Sequence, residues 1–279
     1  MRRHMHYVEA SYENAILEMF CGTLDYQHVY GPDVVREYSD PLYLDELIPA
    51  LRCINPGLPE AALTEAVYKL RHGSSGNLVQ RNKVFTHVLQ NGITVNYFHQ
   101  GKQRASLVRL VDYENTLQNS FVVANQWTVV EHSAKRPDII VFVNGLPLVV
   151  FELKSPSREE TDASEAYRQL RNYMHEIPTL FSYNAFCVMS DLAISKAGTI
   201  TAGEDRFMEW KTKDGNYENT QYAQFDTFLE GMFEKKRLLD IIRNFICFSN
   251  DAKILSAYHQ YFAVKKAVAS AVKATETDG

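Results

Sequence analysis

Hydrophobic and polar positions along this chain follow two alternating rhythms. Between Tyr12 and Thr23 the residues Ala15, Ile16, Met19 and Phe20 recur at helical spacing, with Ser11 placed to cap the start. A second helix is predicted over LPEAALTEAVYKLR, where Pro59 suits a first turn, and HGSSGNL, 72 to 78, reads as a loop. The rhythm then turns to strands, in GITVNYF at 92 to 98, SLVRLVDY at 106 to 113 and SFVVANQWTVVE at 120 to 131. In RPDIIVFVNGLPLVVFELKSP, from Arg136 to Pro156, two apolar runs face each other across Asn144-Gly145. Asp162 and Glu165 have capping-box spacing for a helix to about His175. NAFCVMS, 184 to 190, reads as a short buried strand, and GTITAG, 198 to 203, as a turn and strand. From Lys235 onward helices are predicted in KKRLLDIIRNFICF and KILSAYHQYFAVKKAVASAVKA, the last ending without an evident partner, as if the chain continued into a larger protein.

Composition narrows the classes. The 279 residues, 46% hydrophobic, are enough for one large domain or two small ones. No apolar run approaches the roughly 20 residues that span a bilayer, and the start lacks a signal core, so a cytoplasmic location is the default expectation. Cys21, Cys53, Cys187 and Cys247 show no paired spacing, which suggests neither a zinc site nor a disulfide framework. A net charge of -5 argues against a broad basic surface that wraps nucleic acid.

Charge placement in the Arg136–Pro156 hairpin carries the candidate chemistry. Its interior is Val, Ile, Phe and Leu, yet Asp138, Glu152 and Lys154 gather at one end. Glu152 and Lys154, two apart, project from one face of a strand. A two-residue turn at Asn144-Gly145 in a regular ladder places Asp138 opposite Phe151, with Glu152 on the other face. A turn centred on Val143 and Asn144, with Gly145 as a left-handed bulge residue, shifts the parity and makes the two acids diagonal neighbours. The bulged turn is expected. Two close carboxylates repel unless a cation neutralises them, and Mg²⁺ is suited to them, with the Phe151 carbonyl as a further metal ligand. Lys154 would then stabilise negative charge at a phosphodiester. Taken alone, the spacing is equally that of a capped strand start followed by a solvated ion pair.

Pro137-Asp138 and Glu152-Leu153-Lys154 resemble the signature of the PD-(D/E)xK nuclease superfamily. Gln169 and Tyr173, one helical turn apart, match the QxxxY element of its RecB-like branch. The resemblance implies that they orient catalytic groups or grip a DNA phosphate. It also implies a further acid on the first helix, Glu13 with Glu18 as competitor. ELKSP, QLRNY, LFSYN and GT...RFMEWK in order make the chain similar to the N-terminal nuclease domain of the R subunit of type I restriction enzymes.

That resemblance implies an α/β restriction-endonuclease-like core, a mixed central sheet flanked by helices, with extra N-terminal helices. It places the nuclease domain at 1–250 and a helical lead-in to a superfamily 2 motor at 251–279. Gln260 would correspond to a glutamine that reads the adenine of ATP. No G-x4-G-K-S/T phosphate loop occurs, so this polypeptide is expected neither to hydrolyse ATP nor to translocate. Implied partners are double-stranded DNA, cut without sequence preference, and the methyltransferase and specificity subunits; implied cofactors are Mg²⁺, replaceable by Mn²⁺, and ATP in the full-length protein only. The competing readings are a stand-alone RecB-like exonuclease or junction resolvase, and a degenerate nuclease fold used for docking.

Overall fold

The computed structural model describes residues 2–154, 163–191, 194–216 and 225–276. Helix α1 (Arg2–Gly22) is followed by strand β1 (Gln27–Tyr30) and helices α2 (Leu44–Ile54), α3 (Glu60–His72) and α4 (Leu78–Asn91). Strands β2 (Ile93–His99) and β3 (Lys102–Val108) form a separate hairpin; β4 (Phe121–Asn125) and the short pair β5 (Val129–Val130) and β6 (Ala134–Lys135) lead to β7 (Ile139–Val143) and β8 (Leu146–Leu153). Helices α5 (Ala163–Glu176) and α6 (Pro178–Ser182) precede β9 (Phe186–Ser190) and β10 (Ser195–Gly198). Helices α7 (Phe225–Phe233) and α8 (Lys235–Asn244), a hairpin of β11 (Ile246–Ser249) and β12 (Ala252–Leu255), and α9 (Tyr258–Glu276) complete the described chain.

Among the described residues the central sheet has six strands in the order β1-β4-β7-β8-β9-β10. The β1–β4 and β8–β9 pairs are parallel and the others antiparallel, so the sheet is mixed as expected. Every residue of β7 and β8 is buried, because each face of the sheet carries its own apolar layer. One layer joins Phe151 to Phe20 of α1 and Phe233 of α7, with ring centroids 5.9 and 5.3 Å away. The other packs Ile140, Phe142 and Val150 under Leu170, Tyr173 and Met174 of α5. Among the described residues no helix is long and apolar enough to cross a membrane.

Several expectations are corrected. Helix α1 starts at Arg2, so Ser11 lies inside it rather than at its cap. Helices α2 and α4 were not foreseen. The α4 signal lay in the predicted loop: Asn77 accepts from the Gln80 N–H while the Gln80 side chain accepts from the Asn77 N–H, a reciprocal cap. The strand expected to 131 breaks after Asn125, where Gln126 has φ +55°, and the one expected from 106 to 113 ends at Val108. β10 precedes the GTITAG turn instead of following it. The Asp162 cap lies outside the described residues.

A hairpin replaces the helix expected from Lys253. The reason is the lysine itself: its ammonium is buried, donating to Asn82 Oδ1 at 2.9 Å and to the Asn184 carbonyl at 2.7 Å. Burial without a carboxylate partner pushes its pKa down to about 7. The division at 250/251 therefore falls inside a hairpin that is tied to the core.

The central hairpin keeps the expected parity by a different route. Val143 pairs with Leu146, and Asn144 and Gly145 have φ of +51° and +72°, so the turn is the two-residue kind with two left-handed residues. The extra residue sits deeper, at Leu148. Phe142 pairs with Pro147 but Val141 with Val149, which leaves Leu148 unmatched as a bulge. Its carbonyl accepts from the Ala185 N–H at 2.7 Å, anchoring the bulge to the start of β9. Beyond it Ile139 pairs with Phe151, so Asp138 stands opposite Glu152 on the same face.

The turn is clamped as well. Asn144 donates to the Leu110 carbonyl and Asn119 Oδ1 and accepts from the Ser120 N–H, all within 2.9 Å. A Cβ on Gly145 would stand 2.3 Å from the Tyr43 carbonyl oxygen and 2.6 Å from the Leu47 nitrogen of α2. Gly145→Ala should therefore cost about 3 to 5 kcal/mol, from left-handed strain plus a backbone clash. Urea denaturation measures it, and a loss under about 1 kcal/mol would show the turn to be adaptable.

Candidate active site

Asp138 enters the site just before β7, held by the Leu153 N–H, which donates to its Oδ2 at 2.7 Å. Glu152 is almost fully buried near the end of β8, and Lys154, two residues on, forms an ion pair with its Oε1. The Lys154 N–H donates to the Ser190 carbonyl at 2.8 Å, which fixes the chain as it leaves the strand. Alternation sends Phe151 and Leu153 into the α1 layer and Glu152 toward the α5 layer.

Burial, and after it the charge of Glu152, hold the Asp138 carboxyl well above the usual carboxylate range. The Leu153 N–H and Lys154 pull the other way, and Glu13 adds a smaller push upward. Two carboxylates so placed cannot both ionise cheaply without a cation. The donor set suits a hard divalent ion that keeps several waters, since it supplies two carboxylates and main-chain oxygens. Among the described residues no three His, Cys, Asp or Glu side chains close around a metal, so such an ion would rely on those other oxygens. Phe151 pairs with Ile139 on one edge and Val188 on the other, so its carbonyl lies within the ladder.

Gln169 and Tyr173 arrive from α5 on the same side. Tyr173 is buried and its hydroxyl donates to the Arg136 carbonyl at 3.5 Å. Its phenol is pushed up first by burial and then by the charge of Glu152; a hydrogen bond with Gln169 opposes this, while Asp138 and a hydrogen bond to Glu152 add to it. The four side chains thus share one neighbourhood, as their spacing predicted.

Glu13 approaches the same sheet end from the α1 layer, and Glu18 is exposed to solvent. Sequence reasoning missed the groups that hold Glu13. Asn125 and Gln126, at the end of β4, both donate to its carboxylate, and His28 of β1 contacts Asn125. The available signal was two adjacent amides interrupting an apolar run just before Trp127. Gln260 lies apart from this cluster in the chain. It is exposed, its Oε1 accepts from the Ala257 N–H at 2.9 Å, and it caps the start of α9. It also lines a cavity of about 470 Å³ with Thr199, Thr201, Arg206 and His259.

A mixed sheet layered by helices on both faces, with acids and an amine at one end of its central hairpin, defines a restriction-endonuclease-like α/β core. The family described as type I restriction enzyme R protein N terminus matches residues 6–206, and this chain belongs to it. The HindI endonuclease subunit of a type I restriction enzyme from Haemophilus influenzae is 37% identical over 275 residues, 92% of this chain and 26% of that protein. A Methanocaldococcus jannaschii protein carrying the name of the MjaIXP endonuclease subunit is 31% identical over 288 residues, 94% of this chain and 27% of its own length. The chain thus spans about a quarter of the length of these relatives.

Proposed function

We propose that this chain is the metal-dependent nuclease domain of a type I restriction R subunit, cutting double-stranded DNA without sequence preference after ATP-driven translocation by a motor elsewhere in the full-length protein. One observation carries the reading: Asp138 and Glu152 stand opposite each other on one face of adjacent strands, with Lys154 ion-paired beside them. Family membership supports the restriction context. A Mg²⁺ or Mn²⁺ ion held by Asp138, Glu152 and a main-chain carbonyl such as that of Phe151 would polarise a phosphodiester and acidify bound water.

The chain's own groups do the rest. Lys154 brings a positive charge to the phosphoryl oxygens as negative charge develops. Gln169 and Tyr173 fix the Glu152 carboxylate from above, and burial keeps competing water from the acids. Affinity for the duplex depends on phosphate neutralisation, so a domain of net charge -5 would depend on the motor and on methyltransferase and specificity subunits to deliver DNA in the cytoplasm. ATP belongs to the full-length protein; Gln260 as its adenine contact would first have to release the Ala257 N–H. The test is cleavage of closed circular DNA by the full-length subunit in its complex. Cutting should need Mg²⁺ or Mn²⁺, and cutting that persists in EDTA would overturn the reading.

A further inference from the structure

Asn125 ends β4 at the sheet end that carries the acids, pairing with Ile139 next to Asp138. It is only 8% exposed. Its Nδ2 lies 2.6 Å from Glu13 Oε1, and its Oδ1 lies 2.9 Å from His28 Nε2. Gln126, turned back by its φ of +55°, brings its Nε2 within 3.3 and 3.5 Å of the two Glu13 oxygens.

Donor and acceptor rules settle the direction of each link. A carboxylate only accepts, so the Asn125 amide must present its NH₂ to Glu13 and its oxygen to His28. An oxygen facing the ring requires a proton on Nε2, so the neutral His28 is the Nε2–H tautomer. The chain therefore runs His28 to Asn125 to Glu13, every hydrogen pointing toward the acid.

We propose that Asn125, braced by His28, is a positioning residue that holds the Glu13 carboxylate at the metal-binding end of the sheet, where it serves as a third oxygen donor to the ion or to its hydration water. Asp138 already senses the Glu13 charge. Glu13 comes from the α1 layer, whereas Glu152 and Tyr173 face the α5 layer, so the ion would be approached from both sides of the sheet end. This rests on the metal-dependent nuclease reading.

The experiment measures Mn²⁺ and Mg²⁺ binding to the 279-residue chain by calorimetry, and the His28 tautomer by ¹⁵N imidazole spectra. Asn125→Asp keeps the shape but replaces the donor by a second acid, and it should weaken metal binding ~10-fold or more. His28→Ala removes an exposed ring, should leave the melting temperature unchanged, and should weaken binding several-fold. Wild-type affinity in both variants would overturn the proposal, as would an Nδ1–H tautomer of His28 in the wild-type chain. Glu152→Ala separates the two levels. If that variant binds metal as the wild type does, the metal-site reading itself fails; if it loses binding while Asn125→Asp keeps it, only the role of Asn125 fails.

Discussion

Glu152→Ala and Lys154→Ala should each lower DNA cleavage by the full-length subunit in its complex on the order of 10³-fold or more, about 4 kcal/mol of barrier. The two losses have different origins. Glu152 is one of the two acids proposed to hold the ion, and without it the buried Asp138 takes up its proton in place of a metal. Lys154 is partly exposed and paired to Glu152, so its removal leaves the acids in place but deprives the phosphoryl oxygens of their neighbouring charge. Translocation, measured as ATP-dependent displacement of a bound third strand, should continue in both variants because the motor lies elsewhere. Cleavage within tenfold of wild type in either variant would show that the cluster is structural.

The second large effect concerns stability rather than turnover. In the metal-free fold the Asp138 carboxyl titrates well above its unfolded value near 3.9, chiefly through burial and then through Glu152. Between those two values the folded state binds more protons than the unfolded one, so stability is greatest below about pH 4 and falls as pH rises through the raised value. Asp138→Asn cannot ionise, and its side-chain oxygen still accepts the Leu153 N–H. In EDTA near pH 8 it should make the chain more stable by ~1–4 kcal/mol and remove this group's part of the decline. Mg²⁺ at 100 times its Kd should stabilise the wild type by about 2.7 kcal/mol and the variant hardly at all. Chemical denaturation at pH 6 and 8, with EDTA and with Mg²⁺, measures both. A variant less stable than wild type in EDTA would mean that the two acids do not repel as their placement requires.

Much of the site was legible because its groups interrupt strong local patterns. Asp138, Glu152 and Lys154 break apolar strands, and Gln169 and Tyr173 share a helix face, so period alone brought them together. The register was harder. A bulge at Leu148 has no residue signature among Leu, Pro and Val, and the positive φ of both Asn144 and Gly145 was read as one left-handed residue instead of two. Helices α2 and α4 escaped because their amphipathic stripes face α3, α6 and the core across long sequence separations, and tertiary packing decided what local propensity left open. Lys253 illustrates the converse: a long cationic side chain reads as solvated helix surface, and only the Asn82 and Asn184 oxygens reveal why it lies buried in a strand.

Thirteen residues separate the two acids, and the unmatched Leu148 is what makes that odd interval work with a two-residue reversal. Interval length and ladder irregularity are therefore yoked. A family member with twelve intervening residues needs no bulge, and one with thirteen and a plain ladder would bury its first acid's partner in the wrong layer. Pattern searches that fix the gap, or that let it float freely, both ignore this rule; a gap allowed to change only together with a compensating irregularity would separate active members from those that merely carry the letters.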